Sequence, residues 1–170
     1  CPCFPKAPIA GIAQPLPGLH DNTADWAAYM DDDARAHANF VERILYVIDH
    51  FSFDCFGGVY LPWYKYGKPS WFRDEYATNG RLLGQTGILI RGEISGGVSV
   101  FKQSVLEQCG GFPTGLGMSG KKTGYGEETL LQVRMRMLGC VIGFDPHLQI
   151  DHVVAPYKLS VWWFVKTSYL

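Results

Sequence analysis

The sequence predicts an α/β domain with a mixed β-sheet. Apolar runs of strand length alternate with stretches whose apolar residues recur at helical spacing, and this alternation is typical of α/β proteins. The length of 170 residues fits one domain, and a content of 47% hydrophobic and 18% charged residues excludes an extended disordered protein. We therefore expect a single domain over residues 1–170.

The first third of the chain predicts an extended entry, then a strand, a helix and a second strand. Five prolines within residues 1–25 favour an extended or loop-like segment. The apolar run Trp26–Met30 predicts a buried strand, residues 38–51 carry apolar side chains at helical spacing, and residues 56–61 predict the next strand.

Residues 62–87 predict a functional loop. This segment is rich in aromatic residues, glycine, proline and charge, and it shows no clear period. So long an irregular stretch inside a compact domain is usually either functional or disordered, and its aromatic residues argue against disorder. We therefore expect a lid or a binding loop here.

The second half of the chain continues the alternation of strands and helices. A polar, glycine-rich loop is expected over residues 113–126, and Gly139 stands where a glycine commonly ends a helix. Strands are expected at 97–101, 140–144 and 148–154, and helices at 102–108, 127–138 and 159–170, the last of which is amphipathic and aromatic.

Charge and hydropathy exclude several classes of function. The 15 Lys and Arg residues nearly balance the 16 Asp and Glu residues, so no basic face predicts a nucleic-acid partner. No apolar stretch approaches the roughly 20 residues of a membrane span, and the N-terminus lacks the features of a signal peptide. A cytoplasmic location is therefore expected.

The five cysteines predict reduced thiols, because their number is odd and their spacing is scattered. Cys55, Cys109 and Cys140 lie among apolar neighbours and are expected in the core. Cys1 and Cys3 lack a further cysteine or histidine nearby, which disfavours a metal site at the N-terminus.

The strongest chemical signal is the run Asp31, Asp32 and Asp33 directly after the first strand. Adjacent carboxylates repel one another and, when confined, need a cation to compensate their charge. Oxygen ligands of this kind select hard divalent ions such as Mg²⁺ and Mn²⁺, and α/β sheets bind ligands at their carboxyl edge. The alternative is a solvated turn or a helix cap, because aspartate is common before helices.

Two further signals involve acids at a helix start and a histidine at a strand end. Glu127 and Glu128 begin a predicted helix, whose positive end favours the ionised carboxylate that a general base requires. Acids in a first turn are also ordinary helix stabilisers. His152 ends a predicted strand and is either a structural histidine or a third ligand beside the aspartates.

Taken in order, these motifs resemble the family 2 glycosyltransferases, which have a GT-A type fold. The resemblance extends from about Trp26 to the C-terminus, and it depends on the order and spacing of the motifs more than on any one of them. The matching segments are residues 29–35, 62–76, 96–102, 110–112, 126–131, Gly139, 151–152 and 159–164.

On the donor side, the resemblance implies that Asp31 and Asp33 bind the nucleotide-sugar ribose and the metal that bridges its phosphates. His152 completes the metal shell, and the metal is Mn²⁺ or Mg²⁺. Further donor-binding residues implied by the resemblance are Asp32, Gly96 and Gly97.

On the acceptor side, the resemblance implies that Glu128 is the base that deprotonates the acceptor hydroxyl, with Glu127 next to the acceptor. Aromatic side chains of the loop 62–87 would stack on sugar faces. These acceptor-binding residues are Trp63, Trp71 and Tyr76.

Three positions depart from the family pattern. Glu128 stands where the family usually has Asp, and Val98 stands where it often has Asn. Little sequence precedes Asp31 to build the strands that cradle the nucleotide base. We therefore expect a GT-A-like mixed sheet flanked by helices, which corresponds to the C-terminal metal- and acceptor-binding portion and lacks much of the N-terminal nucleotide-binding half.

The resemblance implies an inverting, metal-dependent transfer of sugar from a nucleoside diphosphate donor, such as a UDP-sugar, to a glycan or lipid-linked acceptor in polysaccharide or glycolipid biosynthesis. The aromatic tail would then contact the inner face of the membrane without crossing it. A non-catalytic sugar-binding or assembly module is the alternative. A metal-dependent phosphohydrolase is disfavoured, because Ala34 and Arg35 follow the aspartates where such enzymes carry Thr or Val.

Overall fold

The computed structural model describes residues 24–80, 82–113 and 126–168, and within these residues one mixed sheet is flanked by helices. Short 3-10 turns lie at Asp74–Ala77 and Pro156–Leu159. The strands are β1 (Trp26–Met30), β2 (Ala34–Ala36), β3 (Cys55–Trp63), β4 (Gly87–Ile88), β5 (Val98–Lys102) and β6 (Ile142–Val153), and the helices are α1 (Phe40–His50), α2 (Gln103–Gln108), α3 (Glu127–Met137) and α4 (Val161–Ser168).

The sheet brings the carboxyl ends of three strands to one edge. Its order is β1-β5-β3-β6-β2, with β4 also paired to β6. β5 is antiparallel to both β1 and β3, whereas β3 and β6 are parallel. As a result β1, β3 and β6 run in the same direction and end together, and β5 begins at the same edge.

Two hydrophobic clusters cover the two faces of the sheet. Neighbouring residues of a strand point to opposite faces, and Val100 and Phe101 accordingly lie in different clusters. The cluster around Val100 receives Ile44 and Val47 from α1. The cluster around Phe101 receives Leu106 of α2 together with Leu131 and Met135 of α3.

The prediction of an α/β fold with a mixed sheet is confirmed. The predicted strand 26–30 has the observed bounds, but it is not buried, because β1 pairs on one side only within the described part of the chain and its side chains are half-buried or exposed. The helix predicted at 38–51 begins at Phe40 and ends at His50. The helices predicted at 102–108 and 127–138 agree with α2 and α3 to within one residue.

The two strands predicted at 140–144 and 148–154 are wrong as separate elements, because β6 runs through both of them. Pro146, which suggested the break, lies in β6 at a register shift against β3: Gly57 pairs with Phe144, and Val59 pairs with Gln149. A proline is tolerated at such a bulge because no ladder hydrogen bond is required there. The short strands β2 and β4 were not predicted.

The predicted loop 62–87 is partly ordered by β3. Its first two residues complete β3, its last residue begins β4, and a 3-10 turn lies between them. The side chain of Asn79 fastens the loop: its Nδ2 donates to the carbonyl of Gly58 at 2.9 Å, and its Oδ1 accepts from the amide of Tyr60 at 3.1 Å. The loop is therefore held against β3 at this point.

The tail helix predicted at 159–170 is observed as α4, which follows a 3-10 turn. Phe164 of α4 packs against the loop aromatics, 4.7 Å from Tyr76 and 6.0 Å from Trp71 between ring centroids. None of the helices in the ranges described above combines the length and the apolar character that crossing a bilayer requires.

The core predictions for cysteine are confirmed for Cys55 and Cys109, which are buried, whereas Cys140 is half-buried and packs against the same cluster. The predicted entry segment up to residue 23, including Cys1 and Cys3, lies outside the described residues. Residues 114–125 of the predicted loop 113–126 and residues 169–170 of the tail also lie outside them.

We predict that Arg43→Met lowers the free energy of unfolding by about 3–5 kcal/mol, because it leaves a buried carboxylate without its cation. Arg43 of α1 forms a bidentate ion pair with Asp145 of β6: its Nε donates to Oδ2 at 2.5 Å and its Nη2 donates to Oδ1 at 3.0 Å. The Asp145 side chain is fully buried. Urea unfolding measures the change. Arg73→Met, which breaks an exposed pair with Glu75, is the matched control and should change stability by less than about 1 kcal/mol. Equal effects of the two substitutions would contradict the prediction.

Candidate functional site

A tight turn after β1 places the aspartates at the shared carboxyl edge of the sheet. The amide of Ala34 donates to the carbonyl of Asp31 at 3.1 Å, so the chain reverses directly into β2. β2 pairs with β6 so that Ala34 lies opposite His152, and the amide of Val153 donates to the carbonyl of Asp33 at 3.0 Å. The short strand β2 therefore fixes the distance between the aspartate turn and the end of β6.

The structure brings Asp31, Asp33 and His152 together. The Nε2 atom of His152 lies 3.1 Å from a carboxylate oxygen of Asp31 and 3.1 Å from one of Asp33. One ligand atom from each residue falls within 4.8 Å of the others. The two aspartate side chains are about half exposed, whereas the His152 side chain is 20% exposed. Asp32 is exposed and makes no described hydrogen bond or ion pair.

Electrostatics at this cluster favour a bound cation. A hydrogen bond to Asp31 and the negative charges of Asp33 and Asp31 raise the pKa of His152, although burial and the nearby Lys158 oppose that rise. The cluster thus attracts positive charge, which a proton supplies in the absence of another cation.

The two carboxylates and one imidazole of this cluster are suitable ligands for a divalent metal ion. Carboxylates suit Mg²⁺ and Mn²⁺, whereas an imidazole ligand is uncommon for Mg²⁺ and acceptable to later metals of the first transition row. The combination of two carboxylates and one imidazole therefore favours Mn²⁺ over Mg²⁺.

Two neighbouring glycines lie against acidic side chains from two parts of the site, Gly97 against Asp31 and Gly96 against Glu128. A Cβ added to Gly97 would lie 2.5 Å from a carboxylate oxygen of Asp31, and a Cβ added to Gly96 would lie 2.6 Å from the Cγ of Glu128. Neighbouring backbone positions thus pack against Asp31 on one side and Glu128 on the other. A larger side chain at either position would have to displace the neighbouring acidic side chain.

The first turn of α3 carries Glu127 and Glu128, and both side chains are half-buried. Burial and the adjacent charge of Glu128 raise the pKa of Glu127, in the direction opposite to the effect of the helix N-terminus. The turn before α3 is made at Gly126, whose φ of +99° lies in the region that favours glycine.

A buried glutamine holds α3 over the glycines. Gln132 is 2% exposed, and its side-chain amide exchanges two hydrogen bonds of 2.9 Å with the backbone of Ile94, just before Gly96. Gln132 lies one turn after Glu128, so this contact fixes the position of Glu128 relative to Gly96. Sequence reasoning missed Gln132, because a glutamine within a helix resembles a surface residue.

The three aromatic residues predicted to bind an acceptor fall into two places. Trp71 and Tyr76, 38% and 46% exposed, belong to a cluster with Phe72 and Phe164. Trp63 instead lies at the end of β3, where the guanidinium carbon of Arg35 lies 4.3 Å from the centroid of its ring.

A small cavity opens beside the Asp31–His152 pair. It has a volume of about 190 Å³. The lining side chains with polar groups are Asp31, Tyr60, Ser95, His152 and Lys158. Burial and the charge of Asp31 raise the pKa of Tyr60, so its hydroxyl remains a hydrogen-bond donor at neutral pH.

The chain is similar to one curated enzyme, although no protein-family model matches it. It is 24% identical over 161 residues to the glucosyl-dolichyl phosphate glucuronosyltransferase of Haloferax volcanii. The match covers 89% of this chain and 50% of that enzyme, so the chain spans about half the length of this relative. The similarity supports a relationship to glycosyltransferases.

We predict that Mn²⁺ binds more tightly as the pH rises from about 6 to about 8, because the proton on His152 must leave before the imidazole can coordinate a metal. Because the pKa of His152 is raised above its ordinary value of 6.5, protons compete with the metal ion for the imidazole at pH values above 6.5 as well. Below that pKa, calorimetry should show the affinity rising toward about tenfold per pH unit.

His152→Ala should weaken Mn²⁺ binding and remove most of its pH dependence. His50→Ala, which changes an exposed histidine of α1, is the control and should behave like the unaltered protein. The same pH dependence in His152→Ala and in the unaltered protein would show that another group controls binding.

We also predict that Gln132→Met lowers the free energy of unfolding by about 2–5 kcal/mol, because it leaves two buried backbone groups of Ile94 without partners. Urea unfolding measures this loss. Gln108→Met, at an exposed position of α2, is the control and should stay within about 0.5 kcal/mol of the unaltered protein. A loss of similar size in both variants would refute the anchoring role of Gln132.

Proposed function

We propose that this chain transfers a sugar from a nucleoside diphosphate donor to a lipid-linked acceptor, with inversion at the anomeric carbon. One observation carries the proposal. Asp31, Asp33 and His152 form a cluster of potential metal ligands, and Asp31 and Glu128 lie against the adjacent backbone positions Gly97 and Gly96. The similar Haloferax volcanii enzyme, whose name describes glucuronosyl transfer to glucosyl-dolichyl phosphate, supports the lipid-linked acceptor.

In this proposal Asp31, Asp33 and His152 hold Mn²⁺ or Mg²⁺. The bound ion would neutralise the negative charge that develops on the diphosphate leaving group. The main contribution of the chain is to orient these ligands: β2 fixes Asp33 opposite the end of β6, and Gly97 lets Asp31 approach the backbone. Asp32, together with Gly96 and Gly97, is assigned to donor binding, where the exposed carboxylate of Asp32 is available to a ribose hydroxyl.

Glu128 is assigned as the base that takes the proton of the acceptor hydroxyl, with Glu127 beside the acceptor. A carboxylate placed across the site from the diphosphate can accept that proton while the hydroxyl oxygen attacks the anomeric carbon. Attack from the side opposite the leaving group inverts the configuration. Gln132 supports this role because it keeps the first turn of α3 against the glycines.

The aromatic residues of the loop are assigned to binding of the acceptor sugar, and the neighbouring helix α4 is assigned to contact with the membrane surface. Trp71 and Tyr76 present partly exposed rings on which a sugar can stack, and Trp63 offers another ring at the end of β3, opposite Val153. The neighbouring helix α4 exposes Val161 and Trp162, with 79% of Trp162 exposed. An exposed aromatic face of this kind suits peripheral contact with a membrane surface that carries a lipid-linked acceptor, on the cytoplasmic side.

We predict that Glu128→Gln lowers the rate of sugar transfer about 10²- to 10⁴-fold, because the amide cannot accept the proton. Asp33→Asn should lower both Mn²⁺ affinity and transfer, because it removes a charged ligand. The assay follows transfer from a panel of UDP-sugars to a polyprenyl phosphate-linked sugar in Mn²⁺. Glu42→Gln and Asp49→Asn, at exposed positions of α1, are the controls and should retain full activity.

Equal transfer by Asp33→Asn and the unaltered protein would refute the catalytic proposal. If the affinity for a glycan does not change when a chelator is added, and UDP-sugar is not turned over, a non-catalytic sugar-binding module would be supported instead. Circular dichroism of every variant separates loss of function from loss of fold.

A further inference from the structure

We infer that Lys158 binds the diphosphate of the donor and stabilises it as it leaves, as a fixed positive charge beside the metal ligands. This inference rests on the proposed function and adds a residue that neither the sequence motifs nor the aspartate cluster includes. It is drawn from the cavity at the carboxyl edge of the sheet and from the charges around it.

The backbone around Lys158 is fixed by a short turn beside that cavity. The 3-10 turn Pro156–Leu159 begins three residues after β6 ends, and the amide of Lys158 donates to the carbonyl of Ala155 at 2.9 Å. Pro156 at the start of the turn restricts its backbone conformation. Lys158 is half-buried and lines the cavity together with Asp31 and His152.

Lys158 has no carboxylate partner in the parts of the chain that the structure describes. Lys68 and Lys102 form ion pairs with Asp74 and Asp54, whereas the Lys158 side chain makes no described hydrogen bond or ion pair. The carboxylates of Asp31 and Asp33 contact His152.

A divalent cation on Asp31, Asp33 and His152 would place a second positive centre beside Lys158. Two positive centres around one cavity repel each other unless an anion lies between them. A diphosphate has several charged oxygens and can contact both centres at once. Lysine is a common point-charge ligand for phosphate.

The remaining wall of the cavity suits the same ligand. Tyr60 and Ser95 line it, and both residues carry hydroxyl groups of the kind that donates hydrogen bonds to phosphate oxygens. With a volume of about 190 Å³, the cavity offers space for a small polyanion next to the metal ligands.

In catalysis, this arrangement would stabilise the charge that develops on the leaving diphosphate. A fixed cation in a partly enclosed site acts most strongly on charge that appears during the reaction. Lys158 would therefore contribute to donor binding and, to a greater extent, to departure of the nucleoside diphosphate.

The test is calorimetric titration of inorganic diphosphate into the protein in the presence of Mg²⁺, because this probe lacks a base and a sugar. Lys158→Ala should weaken diphosphate binding about ten- to a hundredfold, as expected for one charge-assisted contact. Its affinity for Mn²⁺ alone should stay the same or increase, because a neighbouring positive charge has been removed. Lys158→Arg should retain most of the diphosphate affinity.

Arg91→Ala is the matched control, because it removes an exposed positive charge that lines no described cavity. Unchanged diphosphate affinity in Lys158→Ala, or an equal loss in Arg91→Ala, would overturn the inference. Weakened Mn²⁺ binding in Lys158→Ala would also overturn it, because the lysine would then only support the metal ligands. Failure of the proposed function is distinct: Asp33→Asn would then bind Mn²⁺ as well as the unaltered protein.

Discussion

The candidate site depends on the common direction of β1, β3 and β6. Because these strands end at one edge of the sheet and the antiparallel β5 begins there, four separate parts of the chain meet at that edge. They contribute the aspartate turn, Trp63, His152 and the two glycines Gly96 and Gly97. The site is therefore a consequence of topology, since no single segment contains more than two of the three residues grouped as potential metal ligands.

Ion pairing around the site keeps the aspartates available to a cation. Arg35 follows the aspartate turn and could neutralise it, but its Nε donates to Asp151 at 2.8 Å, and Asp151 also contacts His37 at 3.1 Å. Burial alone would raise the pKa of Asp151, and these two partners lower it instead. Among the described residues, His152 is thus the only basic side chain within 4 Å of Asp31 and Asp33. A single imidazole between two carboxylates leaves net negative charge for a divalent ion.

Sequence periodicity was sufficient for the long elements and insufficient for the contacts that assemble the site. The first strand and the helix 127–138 were predictable because five or more residues carry their pattern. β2, with three residues, is too short to show a period, yet it sets the approach of Asp33 to His152. β6 appeared as two strands because a proline usually ends a strand, and the bulge that accommodates Pro146 involves β3, which is distant in sequence.

Glu128 stands where the family 2 glycosyltransferases, which the sequence resembles, usually carry aspartate, and the bare backbone of Gly96 leaves room for the longer side chain. Gly96 has no Cβ, and the space that a Cβ would occupy lies 2.6 Å from the Cγ of Glu128. The extra methylene of glutamate therefore lies against bare backbone. The double hydrogen bond from Gln132 to Ile94 fixes the helix and the glycine segment relative to each other, so Glu128 is held against Gly96. The absence of a side chain at Gly96 thus makes room for the longer acid at position 128. A larger residue at position 96 would require the Glu128 side chain to move or to be shortened.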